Sequence, residues 1–119
     1  MRYLFFLFII VSVFACRSYS SENLPKDLAV DSIIPEKEMI RIIADIHMLE
    51  AALQMERNKN KNIKPLQEFY YNQLFSRYKT SESRFRKNIV YYQGDPEKFK
   101  KMYDEVVQTL DSMKKDMKP

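Results

Sequence analysis

Beyond residue 34 the chain alternates between apolar stripes of helical period and short polar breaks. Met39, Ile42, Ile43, Ile46, Leu49 and Leu53 recur at three- and four-residue steps, which predicts an amphipathic helix over residues 35 to 58. Pro35 suits its first turn, and Glu36 and Glu38 complement the positive end of its dipole. Arg57-Asn58-Lys59-Asn60-Lys61-Asn62 offers nothing apolar to bury and breaks the pattern. Pro65 opens a second helix, with an expected inner face of Leu66, Phe69, Tyr70, Leu74 and Tyr78 that Tyr71 and Phe75 widen. Thr80 or Ser81 then caps a short helix over residues 82 to 92, where Phe85, Ile89 and Tyr92 stand at i, i+4 and i+7. Gly94 is the only glycine and is expected to end that helix in a left-handed conformation. Asp95-Pro96 restarts the chain as cap and first helical residue. Phe99, Met102, Tyr103, Val106, Val107, Leu110 and Met113 define a last helix to about residue 115.

No stretch of period two bounded by turn residues follows the N-terminal run, so strands are not expected. The fold class is all-α: a small bundle of about four helices, two long, one medium and one short. Its short connections favour antiparallel neighbours.

The first sixteen residues follow a different pattern. Arg2 precedes the apolar run Leu4 to Phe14, broken only by Ser12, and Ala15-Cys16 follows. About 20 apolar residues are needed to cross a bilayer core as a helix, so this run reads as an export signal over residues 1 to 15. Val13-Phe14-Ala15-Cys16 resembles a bacterial lipobox, with Phe14 bulkier than that motif prefers. Cys16 is then the lipidation residue, and residues 16 to 34 become a Ser-rich tether ahead of a domain over residues 35 to 117. Several acyl chains would make the anchor effectively permanent. Arg17 is not the aspartate that retains some lipoproteins at the inner membrane, so outer-membrane residence is expected, and the single acid in Arg17-Ser18-Tyr19-Ser20-Ser21-Glu22 favours the periplasmic over the cell-surface side.

Charge and cysteine narrow the classes further. Cleavage would remove Arg2 and leave 19 basic against 16 acidic side chains, an ordinary solvated surface with little field for a polyanion. Nucleic acid is not expected as a partner. Cys16 is the only cysteine, which rules out an internal disulfide. The expected partners are the membrane, through the N-terminal lipid, and an unidentified envelope protein.

One constellation bears on chemistry: Asp45-Ile46-His47-Met48-Leu49-Glu50-Ala51 on the first helix. At 100° per residue Glu50 falls inside the apolar stripe, His47 at its edge within reach of Glu50, and Asp45 on the opposite, solvent-facing flank. A histidine and a carboxylate in a bundle can ligate metal, but a bridged pair needs two copies and the chain has one His, so no metal or cofactor is assigned. General acid-base work by His47 and Glu50 lacks an accompanying nucleophile or oxyanion arrangement, so no catalytic residue is assigned. The simpler reading is a buried carboxylate satisfied by tyrosine hydroxyls, of which Tyr70, Tyr71, Tyr78, Tyr91, Tyr92 and Tyr103 are available. Tyr91 and Tyr92, at the bend before Gly94, are candidates to contact a partner.

The lipobox cysteine, Asp-Ile-His-x-x-Glu-Ala, Tyr-Tyr-x-x-Leu-Phe, Phe85-x-x-Asn88-x-x-Tyr-Tyr and Asp-Pro-Glu-x-Phe-x-x-Met-Tyr together resemble a family of small bacterial lipoproteins of unknown function. The resemblance covers residues 35 to 113. Asn88 stands where it implies a small hydroxyl residue, and Thr80 where it implies an aliphatic one. It implies envelope location and a compact helical domain, and transfers no catalytic residue. The function expected is therefore that of a lipid-anchored contact or adaptor domain. The alternative is an enzyme using His47 and Glu50 in a pocket of the bundle.

Overall fold

The computed structural model describes residues 28–59 and 62–118. The proposed signal over residues 1 to 15, Cys16 and the tether as far as residue 27 lie outside them. Four helices follow a short 3-10 turn, Val30–Ser32: α1, Glu36–Arg57; α2, Lys64–Arg77; α3, Glu82–Gln93; and α4, Pro96–Asp116. No strand occurs among the described residues.

Each helix begins and ends for a local reason. The Pro35 carbonyl accepts the Glu38 and Met39 N–H groups, both at 2.9 Å, at the start of α1. Ser81 caps α3 by accepting the Arg84 N–H at 3.1 Å, and Asp95 caps α4 by accepting the Lys98 N–H at 3.1 Å. Gly94 is right-handed, with φ −61°, because Asp95 starts α4 before a left-handed turn is needed. The left-handed residue is Lys79 (φ 50°), closing α2 with Thr80 N–H bonded to the Phe75 carbonyl and Lys79 N–H to that of Ser76. That pairing is the Schellman arrangement for a helix end.

The core gathers Met39, Ile42, Ile43 and Ala44 of α1, Leu74 and Phe75 of α2, and Met102 and Val106 of α4, closed by Ile34. Helix α1 packs chiefly on α4 and also on α2, while α3 packs on α4. The inner face of α2 is turned from its expected direction. Leu74 and Phe75 are buried and Tyr71 half-buried, whereas Phe69 and Tyr70 stand exposed. On α4, Tyr103 and Val107 likewise reach the surface.

The tether expected to run to residue 34 is folded at its end. Residues 28–34 form a strap laid on α3, and Ile34 is only 1% exposed. Asn88, fully buried, holds the strap from both sides of its amide. Its Oδ1 accepts the Ile34 N–H at 2.7 Å, and its Nδ2 donates to the Ser32 and Arg84 carbonyls, each at 2.9 Å. Tyr92 Oη donates to the Ile34 carbonyl at 2.5 Å, and Arg84 Nε to that of Ser32 at 3.2 Å.

Candidate functional site

Two carboxylates on α1 meet two phenols on α2. Tyr71 Oη donates to Glu50 Oε1, and Tyr78 Oη donates to Asp45 Oδ2 at 2.5 Å. The carboxylates are five residues apart and the phenols seven, in opposite chain directions, so the pairs form two rungs across the α1–α2 interface. The Arg77 guanidinium lies 3.9 Å from Asp45. Burial, then the bond to Asp45, pushes the Tyr78 phenol up to about 12. Burial and the bond to Glu50 raise Tyr71 as well. Phenols held this firmly in the protonated form donate hydrogen bonds and make poor general bases.

These positions correct two expectations. Asp45 does not face open solvent: it is half-buried against Tyr78, because α2 lies across that flank of α1. Glu50 has its tyrosine partner, yet it is half-buried rather than buried. His47 is exposed, and its ring meets Tyr103 edge-on with centroids 6.3 Å apart. No described hydrogen bond joins His47 to Glu50, and neither residue lines any of the described clefts. Among the described residues no group of three His, Cys, Asp or Glu side chains could hold a metal ion.

The candidate contact tyrosines divide between two tasks. Tyr92 is half-buried and committed to the Ile34 carbonyl; burial, then the nearby Glu36 carboxylate, raises its phenol. Tyr91 is exposed, its ring held edge-on against Tyr92 at 5.2 Å. A second exposed aromatic pair, Phe69 and Tyr70 on α2, also packs edge-on, at 5.4 Å.

Two clefts flank α3. One of about 820 Å³ has balanced charge, with Lys64 and Arg86 facing Glu68 and Glu82, and Tyr71 at its wall. The other, about 450 Å³, lies beside the strap and is lined by Arg84 and Lys87 with no carboxylate among the described residues. Sequence reasoning missed this second cleft and the role of Asn88. The signal for Asn88 was present: it occupies the i+3 slot of the stripe Phe85, Ile89, Tyr92, where a polar side chain must find partners.

A family model described as a domain of unknown function, DUF4296, matches residues 31–116. The chain belongs to this family. The matched region begins inside the strap and ends with α4, so the family unit includes the strap residues as well as the four helices. No curated protein and no solved structure matches the chain. No helix among the described residues is long and apolar enough to cross a membrane.

Proposed function

We propose that this member of the family is a lipid-anchored domain of the bacterial cell envelope, held through Cys16, that works by contact as an adaptor or accessory subunit. The N-terminal run ending in Val13-Phe14-Ala15-Cys16 supports the anchor. The observation that carries the contact reading is the division of the polar and aromatic groups. Asp45 and Glu50 are tied to Tyr78 and Tyr71 across the half-buried α1–α2 interface, while Phe69, Tyr70 and Tyr91 are left on the surface. Exposed aromatics are the side chains from which binding hot spots are most often built.

The anchor is tested by Cys16→Ser, which should abolish acyl labelling and release the protein from the membrane fraction. Outer-membrane residence facing the periplasm is tested by fractionation and by protease shaving of intact cells, which should spare the domain. Contact is tested by purification from native membranes. Phe69→Ser with Tyr70→Ser should lose a partner that the unaltered protein retains, with no change in melting temperature. The enzyme reading displaces this one if Glu50→Gln leaves melting intact yet abolishes a cellular phenotype that the aromatic double variant preserves.

A further inference from the structure

Eleven residues separate Cys16 from Leu28, where the described chain begins. Fully extended, the span from Cys16 to Leu28 covers at most about 40 Å. Residues 28–34 do not lengthen that reach, because the strap is fastened to α3 through Asn88 and Tyr92. The surface where the strap emerges is therefore the part of the domain closest, along the chain, to the proposed anchor.

That surface has an unusual makeup. The 450 Å³ cleft is lined by Leu28, Ala29 and Ser32 of the strap and by Ser83, Arg84 and Lys87 of α3, with no acid among the described residues of its walls. Asp31 and Glu82, each next in sequence to a lining residue, are exposed and do not line it, and Glu82 is tied to Arg86. Arg84 donates through Nε to the Ser32 carbonyl, which fixes the guanidinium at the cleft while its two terminal nitrogens keep no partner among the described residues. Lys87 makes no ion pair among the described residues. By contrast Arg86, one position away, is neutralised by Glu82 at 2.6 Å. Between two lining residues of the strap, Val30 projects outward and is 82% exposed, the most exposed large apolar side chain in the domain. Unpaired cations and hydroxyls beside an outward apolar side chain match the boundary between anionic headgroups and acyl chains.

We propose that this cleft is a headgroup site for anionic phospholipid, in which Arg84 and Lys87 take the phosphate and Val30 enters the headgroup layer. The site seats the domain on the membrane with the strap side down. It rests on the lipid-anchored reading only for placing a membrane within reach.

The test compares binding of the full chain to phosphatidylglycerol and phosphatidylcholine vesicles. The readout is the ratio of the two affinities, so that whatever the N-terminal run adds to both cancels. It is run in the Cys16→Ser background as well, where the site must act without acylation; acyl labelling separately reports on the anchor. An unaltered chain should prefer the anionic vesicle. Lys87→Gln should lower the ratio about fivefold and Lys87→Glu about 25-fold, the effect of one and two charge units at an anionic surface. Both substitutions are at an exposed position, and circular dichroism checks that α3 persists. Val30→Ser should weaken binding to the anionic vesicle with the charge response retained. A ratio unchanged by either Lys87 substitution overturns the proposal. So does full competition by inorganic phosphate at constant ionic strength, which would make the cleft a site for free phosphate. Absent acyl labelling of the unaltered chain with a preserved, Lys87-dependent ratio would sink the anchor and leave the headgroup site standing.

Discussion

Replacing Asn88 with alanine removes three hydrogen bonds, two of them to the strap, and the outcome follows from what each partner can do afterwards. The Arg84 carbonyl lies within α3, one turn before Asn88, and the Ser32 carbonyl keeps the Arg84 Nε donor. The Ile34 N–H has no second acceptor among the described residues, and Ile34 is 1% exposed. One buried orphan donor costs about 1 to 3 kcal/mol. The cavity left by a fully buried side chain adds to that, for an expected total of about 2 to 4 kcal/mol. For a domain of this size each kcal/mol moves the melting temperature by about 4 to 8 °C, so a fall of about 8 to 32 °C is expected. Asn88→Asp does not rescue, because its second oxygen would face two carbonyls where Nδ2 now donates. Thermal melting followed by circular dichroism reads the global effect, and amide exchange at Ile34 reads the strap. If the strap simply lifts off, Ile34 exchange rises more than that of Ile42 and the loss in melting is capped at the strap's own docking energy. A melting temperature within about 3 °C of the unaltered chain, with Ile34 still protected, would refute the role given to Asn88.

Three further outcomes are expected. Tyr71, Tyr78 and Tyr92 have raised phenol pKa values, so their contribution to stability is whole below pH 10 and is lost as pH climbs through the folded-state values; for Tyr78 that window is pH 10 to about 12. Helicity should be lost together with the last tyrosines to ionise in phenolate absorbance, and a complete phenolate signal reached well before unfolding would contradict the two rungs. Thr80 Oγ1 is buried without a partner among the described residues, so Thr80→Val should raise stability by about 0.5 to 2 kcal/mol in chemical denaturation, and a loss would show that the hydroxyl is satisfied. Glu50→Gln keeps an acceptor for Tyr71 and should melt closer to the unaltered chain than Glu50→Ala, with exposed His47→Ala closer still; the reverse order would remove Glu50 from the α1–α2 interface.

The sequence pattern predicted the four helices well because α1 and α4 carry single apolar stripes bounded by proline, aspartate and polar turns. Met39, Ile42, Ile43, Met102 and Val106 fall where their spacing put them. Helix α2 was misdirected because Leu66, Phe69, Tyr70, Tyr71, Leu74, Phe75 and Tyr78 give it apolar groups on more than half its circumference. Which arc faces inward is decided by the acceptors on α1: Glu50 and Asp45 draw Tyr71 and Tyr78 and leave Phe69 and Tyr70 outside. Local periodicity does not contain that choice. The strap resembles a tether in sequence for a similar reason, since its order comes from α3 more than fifty residues away.

That separation also governs the order in which the molecule can be completed. The strap residues Ser32 and Ile34 find their partners at Arg84, Asn88 and Tyr92, at sequence distances of 52 to 58 residues. Closing so long a loop carries an entropic cost that must be met before the contacts return anything. A chain that emerges N-terminus first presents Ile34 early and α3 late. The strap residues, first of the described region to emerge, must therefore wait for α3, whose formation is the prerequisite for locking them.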